Sequence, residues 1–250
     1  AIDVPGSPLH QRVASAIASK LGSQLHQAAY ASAPSGHMWL NGQLREFDVV
    51  ISRRRRPDPD SQETNIGFGD NVTMCPRVIV EVEHRHRRLD ETIADVTALE
   101  GHDRLRCFVL VRILPRQNDG RFPLYCVMWR RPLVGPQHRL EFFEVVSFGT
   151  APLPQSVLAE LRTHFPNVRI RDYALREGDG VPALWDGDQV PDVPTSWVRR
   201  ARSPDGFVLE LAGDEVYYFV PGAPLQRAQQ PVRLQLWSIV RDVQLLLPGP

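Results

Sequence analysis

Arg77-Val78-Ile79-Val80-Glu81-Val82-Glu83 and Cys107-Phe108-Val109-Leu110-Val111-Arg112-Ile113 are the two stretches on which the fold turns. Both are short runs of mostly β-branched or large apolar side chains, the composition of a strand buried on both faces. Between them Leu89, Ile93, Val96 and Leu99 recur at helical spacing, and Gly101 stands where a helix should stop. Strand, helix and strand in that order predict a right-handed crossover with the two strands as parallel neighbours. The class is therefore α/β or α+β, a mixed sheet flanked by helices.

Toward the N-terminus, Ser7-Pro8 supplies an N-cap and a first helical position, and Leu9, Val13, Ile17, Leu21 and Leu25 then share one face. An amphipathic helix over about residues 8 to 30 is expected, with Ala33-Pro34-Ser35-Gly36 as its end. His37 to Leu40, a turn at Asn41-Gly42 and the run Leu44 to Ile51 predict a β-hairpin. Residues 53 to 76 hold an arginine run, prolines and little periodicity, which predicts a long exposed loop.

Toward the C-terminus, Leu124 to Trp129 and Leu140 to Val146 extend the sheet, and Val157, Leu158, Leu161 and Phe165 mark a helix between Pro154 and Pro166. A first module closes near residue 170, and residues 171–250 form a C-terminal β-containing extension. Residues 176 to 206 are rich in Gly, Pro and Asp, with Trp185 and Trp197 as packing anchors. Beyond them, Phe207 to Leu211 and Val216 to Val220 predict a second hairpin, followed by an apolar stretch from Val232 to Leu247.

A chain of 250 residues, 42% hydrophobic and 23% charged, can bury a substantial core. No apolar run approaches the roughly 20 residues that cross a bilayer, and Ala1 to Gly6 is too polar for a secretory signal. The 3 cysteines, Cys75, Cys107 and Cys126, have no CxxC spacing, so neither a disulfide framework nor a zinc knuckle is indicated, and a soluble intracellular setting, cytoplasm or nucleus, is expected. Formal net charge is +0, which supplies no global attraction to nucleic acid, so any such contact must come from local patches. Lys20 is the one lysine, and no chemical step can use another.

Alternation along a strand puts Glu46 and Asp48 on one face with Phe47 and Val49 on the other, and Glu81 and Glu83 opposite Val80 and Val82. If the two strands are neighbours, Asp48 and Glu81 converge at one sheet edge, where clustered carboxylates call for a hard cation, Mg²⁺ or Mn²⁺. Asp58-Pro59-Asp60 lacks the apolar strand that should follow a metal-binding Asp, and Cys75 sits in no hydrolase motif. The alternative for the acids is a solvated strand end paired with nearby arginines.

The stretch Gly42 to Ile51 resembles the strand bearing the metal-binding Asp of the PD-(D/E)XK nucleases, and Arg77 to Arg85 resembles the following strand of that superfamily, with its acid, any residue, lysine pattern. The likeness covers roughly residues 8 to 115, and extends to cyanobacterial-type restriction endonucleases and Holliday-junction-resolvase-like folds without choosing between them. It implies a restriction-endonuclease-like sheet over residues 1–170, with Asp48, Glu81 and Glu83 as catalytic acids. Asp48, Glu81 and the carbonyl of Val82 then hold the metal for phosphodiester hydrolysis. His84, Arg85 or Arg87 balances charge on the reacting phosphate, and Arg53, Arg54, Arg55 and Arg56 with Arg85 and Arg87 meet the nucleic acid, DNA in preference to RNA. Two departures stand out: Glu83 occupies the lysine position, and the first helix offers only Gln11, Gln24, His26 and Gln27 where a glutamate is often found. A catalytically inactive fold of this type that binds nucleic acid or protein therefore stays open as the alternative, as does a homodimer.

Overall fold

The structure, a computed structural model, describes residues 8–25, 30–40, 43–54, 74–84, 88–102, 105–132, 139–167, 170–174, 208–217 and 231–246; for 30–40, 43–45, 53, 54, 74, 75, 214, 217, 237 and 241 it describes the backbone alone. The fold is mixed α and β. Helix α1 (Pro8–Gln24) leads into β1 (Tyr30–Leu40), β2 (Gln43–Arg54) and β3 (Met74–His84). Next come α2 (Leu89–Ala98), a 3-10 turn (Leu99–Gly101) and β4 (Cys107–Ile113). Then follow β5 (Leu124–Arg130), β6 (Glu141–Ser147), α3 (Gln155–His164) and β7 (Ile170–Asp172). These seven strands form one sheet in sequence order.

Only β3 with β4 and β6 with β7 run parallel; every other neighbouring pair in this sheet is antiparallel. The parallel pairs are those joined through helices, as crossover geometry demands. Since β4 and β6 lie antiparallel on either side of β5, β3 and β6 point the same way along the sheet. Right-handed crossovers from both therefore put α2 and α3 on the same face, and apolar side chains of both helices join one core with Ile79, Phe108, Leu110, Val127 and Trp129.

The other face carries α1. Leu9, Val13, Ile17 and Leu21 pack on Val49, Ile51, Val78, Val80, Val82, Val109 and Val111. Consecutive residues of β4 thus enter opposite cores, and all seven are buried, which is why that strand reads as an unbroken apolar run.

Three expectations are corrected. The first helix ends at Gln24 rather than near residue 30, and the Ala33-Pro34-Ser35-Gly36 segment lies inside β1. Pro34 is tolerated there because β1 is an edge strand of the sheet, where a missing N–H can face outward. The expected hairpin over 207 to 220 does not form: β8 (Val208–Leu211) is followed by a short helix, α4 (Gly213–Tyr217), and pairs instead with β9 (Val232–Gln235). Residues 218–220 lie outside the described residues, as do Trp185 and Trp197.

The last elements share the core of the first. Leu209, Leu211, Val216, Val232 and Leu234, with Ile239, Val240 and Val243 of α5 (Leu236–Leu246), complete the α1-side cluster. Polar contacts fasten them. The Gln24 side chain donates to the Arg233 carbonyl at 2.6 Å and accepts from the Arg233 N–H at 2.8 Å, so one amide behaves like a strand neighbour to β9. At the start of β3, Pro76 has no N–H, and the register with β2 shifts between Ile51 and Ser52. Arg77 is the extra residue there, and its Nε donates to the Glu215 carbonyl of α4 at 3.2 Å. Glu215 in turn meets Arg130 Nε at 3.1 Å.

Candidate functional site

Antiparallel pairing of β2 with β3 reaches Val49 opposite Val80 and ends there. One residue further back, Asp48 takes over with its side chain: Oδ2 accepts the Val82 backbone N–H at 2.6 Å. Both backbone polar groups of a residue in an extended strand point to the same side, so the Val82 carbonyl shares the edge where Asp48 sits. The result is a notch between diverging strands, containing the Asp48 carboxylate and the β3 backbone beside Glu81.

Asp48 is held from a second direction. His10, in the first turn of α1, places Nε2 2.7 Å from Asp48 Oδ1, with side-chain exposures of 21% for the histidine and 14% for the aspartate. This contact breaks the alternation expected from sequence. Phe47 packs on Phe108 in the α2-side core, whereas Val49 is in the α1-side core, so the two do not share a face. Asp48 and Val49 both turn toward α1, the signature of a local break in the pleat.

Glu81 lies between Val80 and Val82, which face α1, and therefore projects with Ile79 and Glu83 toward α2; it is half-buried. Glu83 is buried in a polar network. Its Oε2 accepts from Arg112 Nε and Nη2 at 2.9 and 2.6 Å, and its Oε1 accepts from Thr92 Oγ1 of α2 at 2.6 Å. Arg112 Nη1 also donates to the Tyr125 hydroxyl at 3.0 Å. Burial pulls the Arg112 pKa down, but Tyr125 and Glu83 beside it outweigh that and hold it above its ordinary value. Burial pushes the Tyr125 phenol up to about 12. Glu160 of α3 adds a carboxylate on this side: its Oε1 accepts the Leu89 N–H at 3.2 Å, at the positive end of α2.

The three acids thus divide. Asp48 turns toward α1 and meets the Val82 N–H, Glu81 projects to the opposite, α2 face, and Glu83 is engaged with Arg112 and Thr92, so the expected convergence of Asp48 and Glu81 on one face is corrected: the break in the pleat at Asp48 turns its side chain the other way. Among the described residues, no three His, Cys, Asp or Glu side chains gather closely enough to hold a metal ion. The oxygens that share the strand edge are those of the Asp48 carboxylate and the Val82 carbonyl, donors of the type a hard divalent cation takes.

Of the arginines expected to meet nucleic acid, Arg55, Arg56, Arg85 and Arg87 lie outside the described residues, as does His86. Arg53 and Arg54 extend β2 rather than opening a loop, opposite Cys75 and Met74. They lie five and six residues from Asp48, about 17–20 Å along a strand, at the far end of the sheet from the notch. His84 ends β3, half-buried and opposite Ile113.

Sequence reasoning passed over His10, Thr92, Arg112, Tyr125 and Glu160. One signal was present: Arg112 is a charge inside an otherwise apolar buried strand, which requires a buried partner nearby. His10 had none, because its neighbour Asp48 is remote in sequence.

Among the described residues, no helix is long and apolar enough to cross a membrane. Compared with known proteins, the chain matches no family model, and neither a curated protein nor a solved structure is significantly similar to it.

Proposed function

We propose that this chain is a metal-dependent phosphodiesterase acting on nucleic acid, DNA in preference to RNA, built on a PD-(D/E)XK-like core. The carrying observation is the 2.6 Å hydrogen bond from the Val82 N–H to Asp48 Oδ2, which brings an aspartate of β2 against the backbone beside Glu81. The order helix, hairpin, strand, crossover helix, parallel strand agrees with that core. In this reading Asp48 and the Val82 carbonyl would hold Mg²⁺ or Mn²⁺, and Glu81 would join them by turning its carboxylate from the α2 face to the strand edge. A bound ion supplies Lewis acidity toward a phosphate oxygen and a more acidic water. The chain's own part is to fix Asp48 through His10 and Val82, and to fix the end of β3 through Glu83. Glu83 itself is assigned a holding role, because its oxygens are engaged by Arg112 and Thr92.

That same engagement favours a second reading, a nuclease-like fold without catalysis that binds nucleic acid. A glutamate paired with Arg112 replaces the motif lysine, and the sole lysine, Lys20, sits on α1. A plasmid-nicking assay with and without Mg²⁺ or Mn²⁺ separates the two. Metal-dependent nicking that is lost in an Asp48→Asn/Glu81→Gln variant supports hydrolysis. Salt-sensitive DNA binding without nicking selects the second reading, and neither result rejects both.

A further inference from the structure

We propose that the outer edge of β1 pairs with the same edge of a second copy of this chain, antiparallel about a two-fold axis, so that two sheets become one. An edge strand offers a row of unpaired N–H and C=O groups, and chains that stay single blunt such rows with shortness, charge or a covering group. The other edges of this fold are blunted in those ways. β7 is 3 residues long and carries Arg171 and Asp172. On β8 the Glu210 carbonyl accepts from Arg130 Nη2, and on β9 the Gln24 amide takes both the N–H and the carbonyl of Arg233.

β1 is built differently. It is 11 residues long, and among the described residues no strand pairs with it on the side away from β2. Its sequence contains no Asp, Glu, Lys or Arg, and His37 is its one side chain that can take up a charge near neutral pH. Pro34 is its one interruption, which leaves residues 35–40 as a continuous edge.

Composition selects a second copy as the occupant. In a two-fold antiparallel pair a strand meets its own sequence in reverse, so a charge near the axis stands close to its own like charge. Ser35-Gly36-His37-Met38-Trp39-Leu40 meets itself without that repulsion, and offers a foreign strand no fixed charge to read. The assembly also closes. A two-fold contact uses one surface on both copies, and the far edge of each sheet is the short, charged β7, so a dimer forms rather than a filament. The axis stands perpendicular to the sheet, and both copies then carry α1 on the same side of it. The competing occupants are another part of this chain and a strand of a different protein; either leaves the purified chain monomeric.

Light scattering of the full chain, with neither metal nor nucleic acid present, tests this. The mass should rise from 28.3 kDa toward twice that value between about 1 and 100 µM. Over the same range, hydrogen exchange at those amides of residues 35–40 that point away from β2 should slow by about 10-fold or more. Ser35→Lys/His37→Lys sets like charges across the axis and should weaken the dimer by about 10-fold or more with an unchanged far-UV CD spectrum. If that variant loses its native spectrum, amide exchange in the wild-type chain decides. A chain that is monomeric at the highest concentration overturns the proposal. So does a dimer in which exchange over residues 35–40 is as fast as in the dilute chain, because the contact then lies elsewhere. Neither outcome bears on nicking, so this proposal and the functional reading above fail separately.

Discussion

Two nitrogens of Arg112, Nε at 2.9 Å and Nη2 at 2.6 Å, converge on one carboxylate oxygen of Glu83, in a place where the residues are 7% and 5% exposed. The pair joins the C-terminal ends of the parallel strands β3 and β4, where Glu83 stands opposite Arg112 in register. Thr92 ties the same carboxylate to α2. Removing the arginine alone strands a charged carboxylate in a core. Arg112→Ala should cost about 3–5 kcal/mol in urea unfolding, and Glu83→Met with Arg112→Met together should cost much less than Arg112→Ala. Equal losses in the two would show that charge pairing is not what holds this end of the sheet.

Separating Glu81 from Glu83 probes the division of labour between them. If Asp48 and Glu81 carry the chemistry, Glu81→Gln should lower metal-dependent nicking per folded molecule by about 100-fold or more, while Glu83→Gln stays within about 3-fold. Glu83→Gln should instead lower the unfolding midpoint. The opposite ranking in the nicking assay returns Glu83 to the reaction.

Gly149 is fixed by packing rather than by dihedral freedom. A Cβ at this position would run into backbone atoms of Phe122, Pro123 and Leu124, where β5 begins. Thr150 next to it exchanges hydrogen bonds with Phe122, its N–H donating to the carbonyl and its hydroxyl accepting the Phe122 N–H at 2.9 Å. Gly149→Ala should therefore destabilise by about 1–3 kcal/mol, seen as a lower thermal midpoint. A midpoint equal to the wild type would mean that the two backbones can separate at no cost.

Two buried thiols predict alkaline weakening. Burial, with the Glu144 carboxylate adding to it, pushes Cys126 up to about 12 from 9.0, and burial followed by Glu215 raises Cys107 as well. Below pH 9 both thiols hold their protons whether folded or unfolded, and stability is unaffected. Above it the unfolded chain loses protons that the folded chain keeps, so stability falls with pH, by about 1 kcal/mol per pH unit for each thiol. Urea titrations between pH 9 and 10 should show this slope, and Cys107→Ala/Cys126→Ala should flatten it. An unchanged slope in the double variant would assign the loss to other groups.

Order and type of the main elements were legible because periodicity is a local property. Cys107 to Ile113 is apolar at every place but one, so burial on both faces follows, and Leu89, Ile93, Val96 and Leu99 then require a crossover helix and a parallel pair. By contrast, only the His37–Leu40 part of β1 was legible, as one arm of the expected hairpin with β2; its extension back to Tyr30 was hidden behind Pro34, whose tolerance depends on being at the edge of the sheet. The partner of β8 was hidden too, since a nearby run at Val216 looked like a strand, and the true partner, β9, lies further along.

From its residues alone the chain determined a mixed sheet with a parallel pair, acids on two of its strands and a core on each side. Tertiary structure decided which of those acids meet and what answers them: His10 and the Val82 N–H at Asp48, Arg112 and Thr92 at Glu83. Side-chain periodicity depends on neighbours a few residues away, but the partner of a charge depends on strand register, on where the pleat breaks and on which helix covers the face. Those are settled only when segments far apart in sequence pack together.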